Sequence, residues 1–168
     1  MLSLRRGVLF RGAYSLGEVY HVSEADNTVM GPAVSDAAEW YEKADWIGIH
    51  ATPDARQTSS DLIHSSTSDL AHVLVEFPVP MKDQSTKRLR AINWPKGFYV
   101  EDLAPPGPES GKEKLETLLG LQPPSSDSMR RKHSNTVTFF DFVHTAQELW
   151  KLGSATPSQP ASDSDAVD

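Results

Sequence analysis

The stretch from Phe10 to Ala51, FRGAYSLGEVYHVSEADNTVMGPAVSDAAEWYEKADWIGIHA, constrains the fold more than any other part of the chain. It sets out a short strand, a polar loop, an amphipathic helix and a second strand. A helix that buries one stripe must find a sheet face, so this order implies a layered α and β structure. Residues 7–16 read as the first strand, with Val8, Leu9, Phe10, Ala13, Tyr14 and Leu16 apolar on both sides. That pattern suits a strand covered on both faces. Gly12 inside it implies a bulge or a close backbone approach, and Gly17 ends it. Val19 to Val22 reads as a return strand making a hairpin with the first, and Ser23 to Asn27 as a polar turn.

The helix is predicted from Pro32 to Ala44. Pro32 fits a first helical position, where its missing N–H has no intrahelical role. Ala33, Val34, Ala37, Trp40, Tyr41 and Ala44 recur at helical spacing, while Ser35, Asp36, Glu39, Glu42 and Lys43 fall elsewhere. Glu39 and Lys43 stand four apart, the spacing of a surface ion pair. Trp46 to His50 reads as the next strand. Thr52-Pro53-Asp54 is a helix start, with Thr52 as cap and Asp54 favoured by the dipole; the helix is predicted to run to Ile63. Leu70 to Phe77 alternates as a strand, with Ala71, Val73, Val75 and Phe77 on one face, and Arg88 to Trp94 reads as its hairpin partner.

Beyond Trp94 the pattern weakens. Residues 104–135 read as a Pro/Ser-rich region with a short helix over Lys112 to Leu121 and a polar loop over Gln122 to Ser134. Residues 136–152 read as an amphipathic helix carrying Phe139, Phe142, Val143, Ala146, Leu149 and Trp150 on one face. Residues 153–168 have no aromatic side chain and are expected to be a disordered tail.

Composition removes several chemistries. The net charge of −7 argues against a nucleic-acid partner, which calls for a basic face. The absence of cysteine excludes disulfides, thiolate metal sites and thiol nucleophiles, and fits a reducing compartment. No apolar run approaches the roughly 20 residues of a membrane span, and Arg5-Arg6 interrupt the N-terminus as a signal sequence. The expectation is a cytoplasmic chain with no membrane partner. Gly12 to Gly17 has the wrong spacing for a nucleophile elbow, and no P-loop or dinucleotide glycine fingerprint occurs. The six histidines are scattered, with His50, His72 and His144 expected to be structural. The basic run Met129 to His133 reads as solvated surface.

The segment resembles the second half of a class III nucleotide cyclase domain. In that family a strand of type R-[IV]-G-[ILM]-x-x-G leads through a loop to G-x-x-V-N-x-A-x-R at a helix start. Arg11 to Gly17 look like the strand, although glycine follows arginine directly, and Gly31, Val34 and Ala37 match the helix motif without a gap. The style of residues 31–48 is similar to divergent bacterial members, including the antiphage pyrimidine cyclases. The resemblance implies an α+β fold: a partial ferredoxin-like sandwich over residues 1–103, with an antiparallel or mixed sheet and helices on one face.

The resemblance also implies chemistry: conversion of a nucleoside triphosphate to a 3′,5′-cyclic monophosphate and pyrophosphate at a dimer interface. Two aspartates hold Mg or Mn ions that activate the ribose hydroxyl, and an asparagine and an arginine on the helix position the ribose and the transferring phosphate. Carried onto this chain, the base-selecting position is Thr28, the helix glycine is Gly31, the asparagine position is Ser35 and the arginine position is Glu39. Ser35 keeps a hydrogen-bonding hydroxyl; Glu39 replaces a cation with an anion. The family's metal aspartates precede the strand, yet the ten residues before Arg11 include no acid. The expectation is a fragment lacking the metal-binding half and inactive by itself, completed by a second copy or by a complementing cyclase chain. The alternatives are a non-catalytic cyclase-homology subunit serving dimerisation or regulation, and a small α+β binding domain unrelated to cyclases.

Overall fold

The computed structural model describes residues 8–23, 28–56, 73–99, 108–121 and 123–153. Strands β1 (Gly12–Tyr14), β2 (Tyr20–Ser23) and β3 (Thr28–Met30) are followed by helix α1 (Pro32–Lys43) and strand β4 (Ile49–Ala51). Strands β5 (Leu74–Pro80) and β6 (Thr86–Ile92), a 3₁₀ helix (Trp94–Tyr99), α2 (Pro108–Gly120) and α3 (Asp127–Gly153) complete the order. The fold is α+β with a mixed sheet in the order β1-β4-β6-β5. β1 runs parallel to β4, and the other two pairings are antiparallel. β2 and β3 form a separate two-stranded sheet.

Register fixes which face carries the helices. His50 pairs with Ala13 on one side and Ala91 on the other, and Ala91 pairs with Val75. Paired residues point the same way and every second residue follows them, so Ala13, His50, Ala91, Val75, Phe77 and Val79 share a face. Arg11, two residues before Ala13, reaches the C-terminal carbonyls of α1 from that side. Phe77 meets Phe139 of α3 edge-on at a ring separation of 4.8 Å. Both α1 and α3 therefore cover the same face of the sheet. The opposite face carries Glu76, 3.4 Å from Arg88 and 3.6 Å from Arg56.

The main core gathers Trp46, Phe77, Val79, Met81, Leu89, Ala91, Phe139 and Val143. Trp46 is fully buried, 4.8 Å from the Phe139 ring and 5.5 Å from the Phe77 ring. A second cluster joins Leu115 and Leu119 of α2 to Phe140 of α3, with Ile47 and Trp94 against it. Phe140 was not on the predicted apolar face of the last helix, whereas the predicted Phe142 is 38% exposed.

Several elements differ from the sequence reading: the first strand spans only Gly12–Tyr14 rather than residues 7–16, β6 starts at Thr86 and ends at Ile92, and the helix read from Lys112 starts at Pro108. Val19 to Val22 does not pair back with β1; β2 pairs forward with β3, in the registers Tyr20–Met30 and His21–Val29. Residues 46–48 bend rather than extend, so that strand starts at Ile49. The last helix begins at Asp127, not at residue 136, because Ser126 caps it: its hydroxyl accepts from Met129 N at 3.3 Å and its carbonyl from Arg130 N at 3.0 Å. Two helix starts hold. Pro32 is the first residue of α1, and Thr52 caps the helical turn over residues 53–56 by accepting from Ala55 N at 3.3 Å. The predicted continuation of that helix to Ile63, His72 and the 153–168 tail lie outside the described residues, apart from Gly153 itself.

The basic run is not free surface. It lies in α3, and Arg131 and Lys132 hold the buried carboxylate of Asp45 at 3.2 and 3.7 Å. Asn135 Nδ2 donates to the Asp45 carbonyl at 2.7 Å, and Ile47 N donates to Thr136 Oγ1 at 2.9 Å. This clamp secures residues 45–47, where the bend begins, and seats Trp46 in the core.

Candidate functional site

The residues singled out by the resemblance lie where β3 passes into α1. Gly31 has φ +139°, a conformation that L side chains avoid. A Cβ there would stand 2.5 Å from the Glu18 carbonyl oxygen. Glycine is therefore required by the close approach of the Gly17–Glu18 turn to the helix start. Ala33 N completes the join by donating to that same Glu18 carbonyl at 3.4 Å.

Ser35 and Glu39 follow Gly31 at successive turns of α1 and both face solvent. Glu39 is 63% exposed and its Oε1 lies 2.5 Å from Lys43 Nζ, the helix-surface pair expected from their spacing. Thr28 opens β3 and is exposed as well. Thus Ser35 and Glu39 share one helix face, Gly31 is held by backbone packing, and Thr28 sits one short strand before it. Ser35 N donates to the Gly31 carbonyl at 3.1 Å as α1 begins, and no side-chain hydrogen bond links the four among the described residues.

Arg11, first residue of the matched strand motif, has a structural task. One guanidinium nitrogen donates to the Tyr41 and Ala44 carbonyls, both at 2.8 Å, and the group stacks 4.3 Å from the Tyr41 ring. It closes the C-terminal end of α1, where free carbonyls and the negative dipole end favour a cation.

A polar chain that sequence reading missed joins the C-terminal ends of the parallel strands. Ser15 Oγ donates to Asp36 Oδ2 at 2.6 Å, and Thr52 Oγ1 donates to Ser15 Oγ at 3.4 Å. Asp36 was placed among the polar residues of the helix; the signal that sets it apart is its position one residue past Ser35, which turns it toward β1. Thr52 has no exposed surface, so this chain fixes the junction of β1, β4 and α1.

His50 is 1% exposed, and neither ring nitrogen has a well-formed hydrogen bond among the described residues. Burial lowers its pKa from 6.5 to about 4; the Trp40 backbone pulls the other way and the Arg11 guanidinium adds to the lowering. The ring is neutral at neutral pH, and its packing 6.2 Å from Trp46 suits the structural role expected for it.

Around this junction apolar side chains face water. Leu16, Val19, Tyr20, Val29, Met30 and Val34 are 37–54% exposed. All six lie in or beside the β2–β3 hairpin and the first turn of α1. A two-stranded ribbon of this size is marginal without cover.

No known family model, curated protein or solved structure matches the chain. Among the described residues, no group of three or more histidines or acids is placed to hold a metal ion. The one carboxylate at the four motif positions, Glu39, is already bonded to Lys43. These residues do not make a donor set for the Mg or Mn ions that the resemblance implies. No described helix is long and apolar enough to cross a membrane.

Proposed function

We propose that this chain acts by association, as a cyclase-like α+β module whose β2–β3 hairpin and adjoining α1 shoulder dock on a second copy. The carrying observation is the concentration of half-exposed apolar side chains on a hairpin that, among the described residues, forms a sheet of its own. The cross-strand pair Tyr20–Met30 presents two large side chains on one hairpin face, and among the described residues β1 pairs only with β4. Burying such groups yields roughly 25 cal/mol per Å², and a stable dimer needs on the order of 1,200–2,000 Å² in total. The test is light scattering after size exclusion over a range of concentrations. The wild type forms dimers, and Tyr20→Ser/Met30→Ser is monomeric while keeping the wild-type far-ultraviolet circular dichroism. A wild type that stays monomeric up to about 500 µM, far weaker than specific dimers of this size, refutes the proposal.

A second reading is enzymatic: a nucleotide cyclase completed by another chain. It is favoured by the solvent-facing row of Thr28, Ser35 and Glu39 beside the same apolar hairpin, since a docked partner would bring its own groups onto that row. Incubation with each of the four nucleoside triphosphates and Mn²⁺ tests it. Cyclic product that depends on Ser35 supports this reading, and its absence from the dimer leaves the module non-catalytic.

A further inference from the structure

We propose that the cleft between the C-terminal end of α1 and the tip of the β5–β6 hairpin binds a small planar aromatic anion. The cleft is open to solvent and offers about 510 Å³, within the size range of small-molecule sites. Its two walls are tied together, because Lys82 N donates to the Lys43 carbonyl at 2.9 Å. Met81, nearly buried, supplies apolar lining, and Trp40 presents its indole. Two ammonium groups flank that ring, Lys43 Nζ at 4.7 Å and Lys87 Nζ at 5.4 Å from its centroid.

The charges are unevenly committed. Lys43 meets Glu39 and Lys82 meets Glu42 at 3.5 Å, both as exposed pairs. Asp83 spends Oδ1 on the backbone N–H and hydroxyl of Ser85. Lys87 has no carboxylate within 4 Å among the described residues, although its charge adds to the Ser85 hydrogen bonds that hold the Asp83 carboxyl below its usual range. Exposed ion pairs are weak and exchange readily, so an arriving anion can draw Lys43 and Lys82 as well as Lys87. A ligand ring stacked on Trp40 gains more than an exposed ammonium loses by moving off the indole. The remainder of the chain is acidic and the cleft holds about one ring system, which favours a small anion over a polyanion. A nucleoside monophosphate and an aryl phosphate share this chemistry. The cleft uses none of the hairpin residues proposed for association, so either proposal can fail alone.

Isothermal titration of the full chain with adenosine 5′-monophosphate, O-phosphotyrosine, adenosine and inorganic phosphate is the test. At low salt one of the two phosphorylated ring compounds binds saturably, at least about tenfold tighter than adenosine or phosphate, because only it engages both ring and ammonium. Which one binds tighter identifies the ring. Lys87→Gln weakens binding about fivefold and Trp40→Leu about tenfold, and raising ionic strength weakens the wild type, as for exposed charges. Circular dichroism melts of both variants confirm folding, and Lys87→Gln, a fully surface change, keeps the test valid if Trp40→Leu unfolds. Absence of saturable binding by every probe, or binding that Lys87→Gln leaves unchanged, overturns the proposal.

Discussion

Lowering the pH through the range in which the unfolded chain protonates its histidines tests the His50 environment. In the unfolded chain this imidazole ionises near its ordinary 6.5, and in the folded protein burial holds it neutral to about pH 4. The group's folded pKa is depressed, so its contribution is fully present above pH 6.5. It is lost as pH falls and is gone below about 4, where both states bind the proton. A gap of this size corresponds to about 3 kcal/mol in total, and to about 2 kcal/mol between pH 7 and pH 5. Urea unfolding followed by tryptophan fluorescence at those two pH values measures the loss. His50→Leu removes the titrating ring. Its stability is close to wild type at neutral pH, because neither ring nitrogen has a well-formed hydrogen bond to lose. Between pH 7 and pH 5 it falls about 2 kcal/mol less than wild type. The other histidines are common to both proteins and cancel in the difference. Equal pH slopes for the two proteins would refute the reasoning.

Other outcomes follow from named contacts. A Cβ at Gly48 would sit 2.6 Å from the buried Trp46 ring, so Gly48→Ala lowers stability by about 1–3 kcal/mol in urea unfolding. Asp45→Ala removes the anchor of Arg131 and Lys132; it costs about 2–4 kcal/mol and exposes Trp46, read as a red shift and increased quenching of fluorescence. Gly31→Ala forces both a strained φ and a clash with the Glu18 carbonyl and lowers the melting temperature, by about 1–3 kcal/mol at the midpoint. Ser35→Ala on the same helix, exposed and unpaired with any carboxylate among the described residues, stays within about 0.5 kcal/mol of wild type.

What the sequence made legible was local. Pro32 and Thr52-Pro53 announced two helix starts because capping and fixed φ act on neighbours, and both appear in place. The alternation before Phe77 gave β5 because one face of that strand is buried. The failures are long-range or hidden by polarity. Val19 to Val22 has two possible partners, and only the backbone turn at Gly17 and the helix start at Gly31 select β3 over β1. The run Met129 to His133 looks like solvated surface because its partner, Asp45, is 86 residues away for Arg131. Asp36 looked like any polar residue on a helix until the parallel pairing of β1 and β4 brought Ser15 beside it. The four site positions were legible only as letters of a motif; their exposure and pairing were not.

That contrast bears on what the motif letters mean. Gly31 is explained by its φ and the approach of the Glu18 carbonyl, and Arg11 by the carbonyls at the end of α1. A strand-to-helix unit built this way needs those residues whether or not a nucleotide ever binds, so they speak for geometry. Chemistry has to be argued from positions that packing leaves free, and there the chain offers Thr28, Ser35 and a Glu39 already neutralised by Lys43. Val34 is the informative exception: it matches the motif, yet it is 37% exposed. Its own chain already covers more than half of it. The remainder gains if the surface it shares with Val19, Tyr20, Val29 and Met30 is covered, which is the condition that the proposed association on the hairpin would supply.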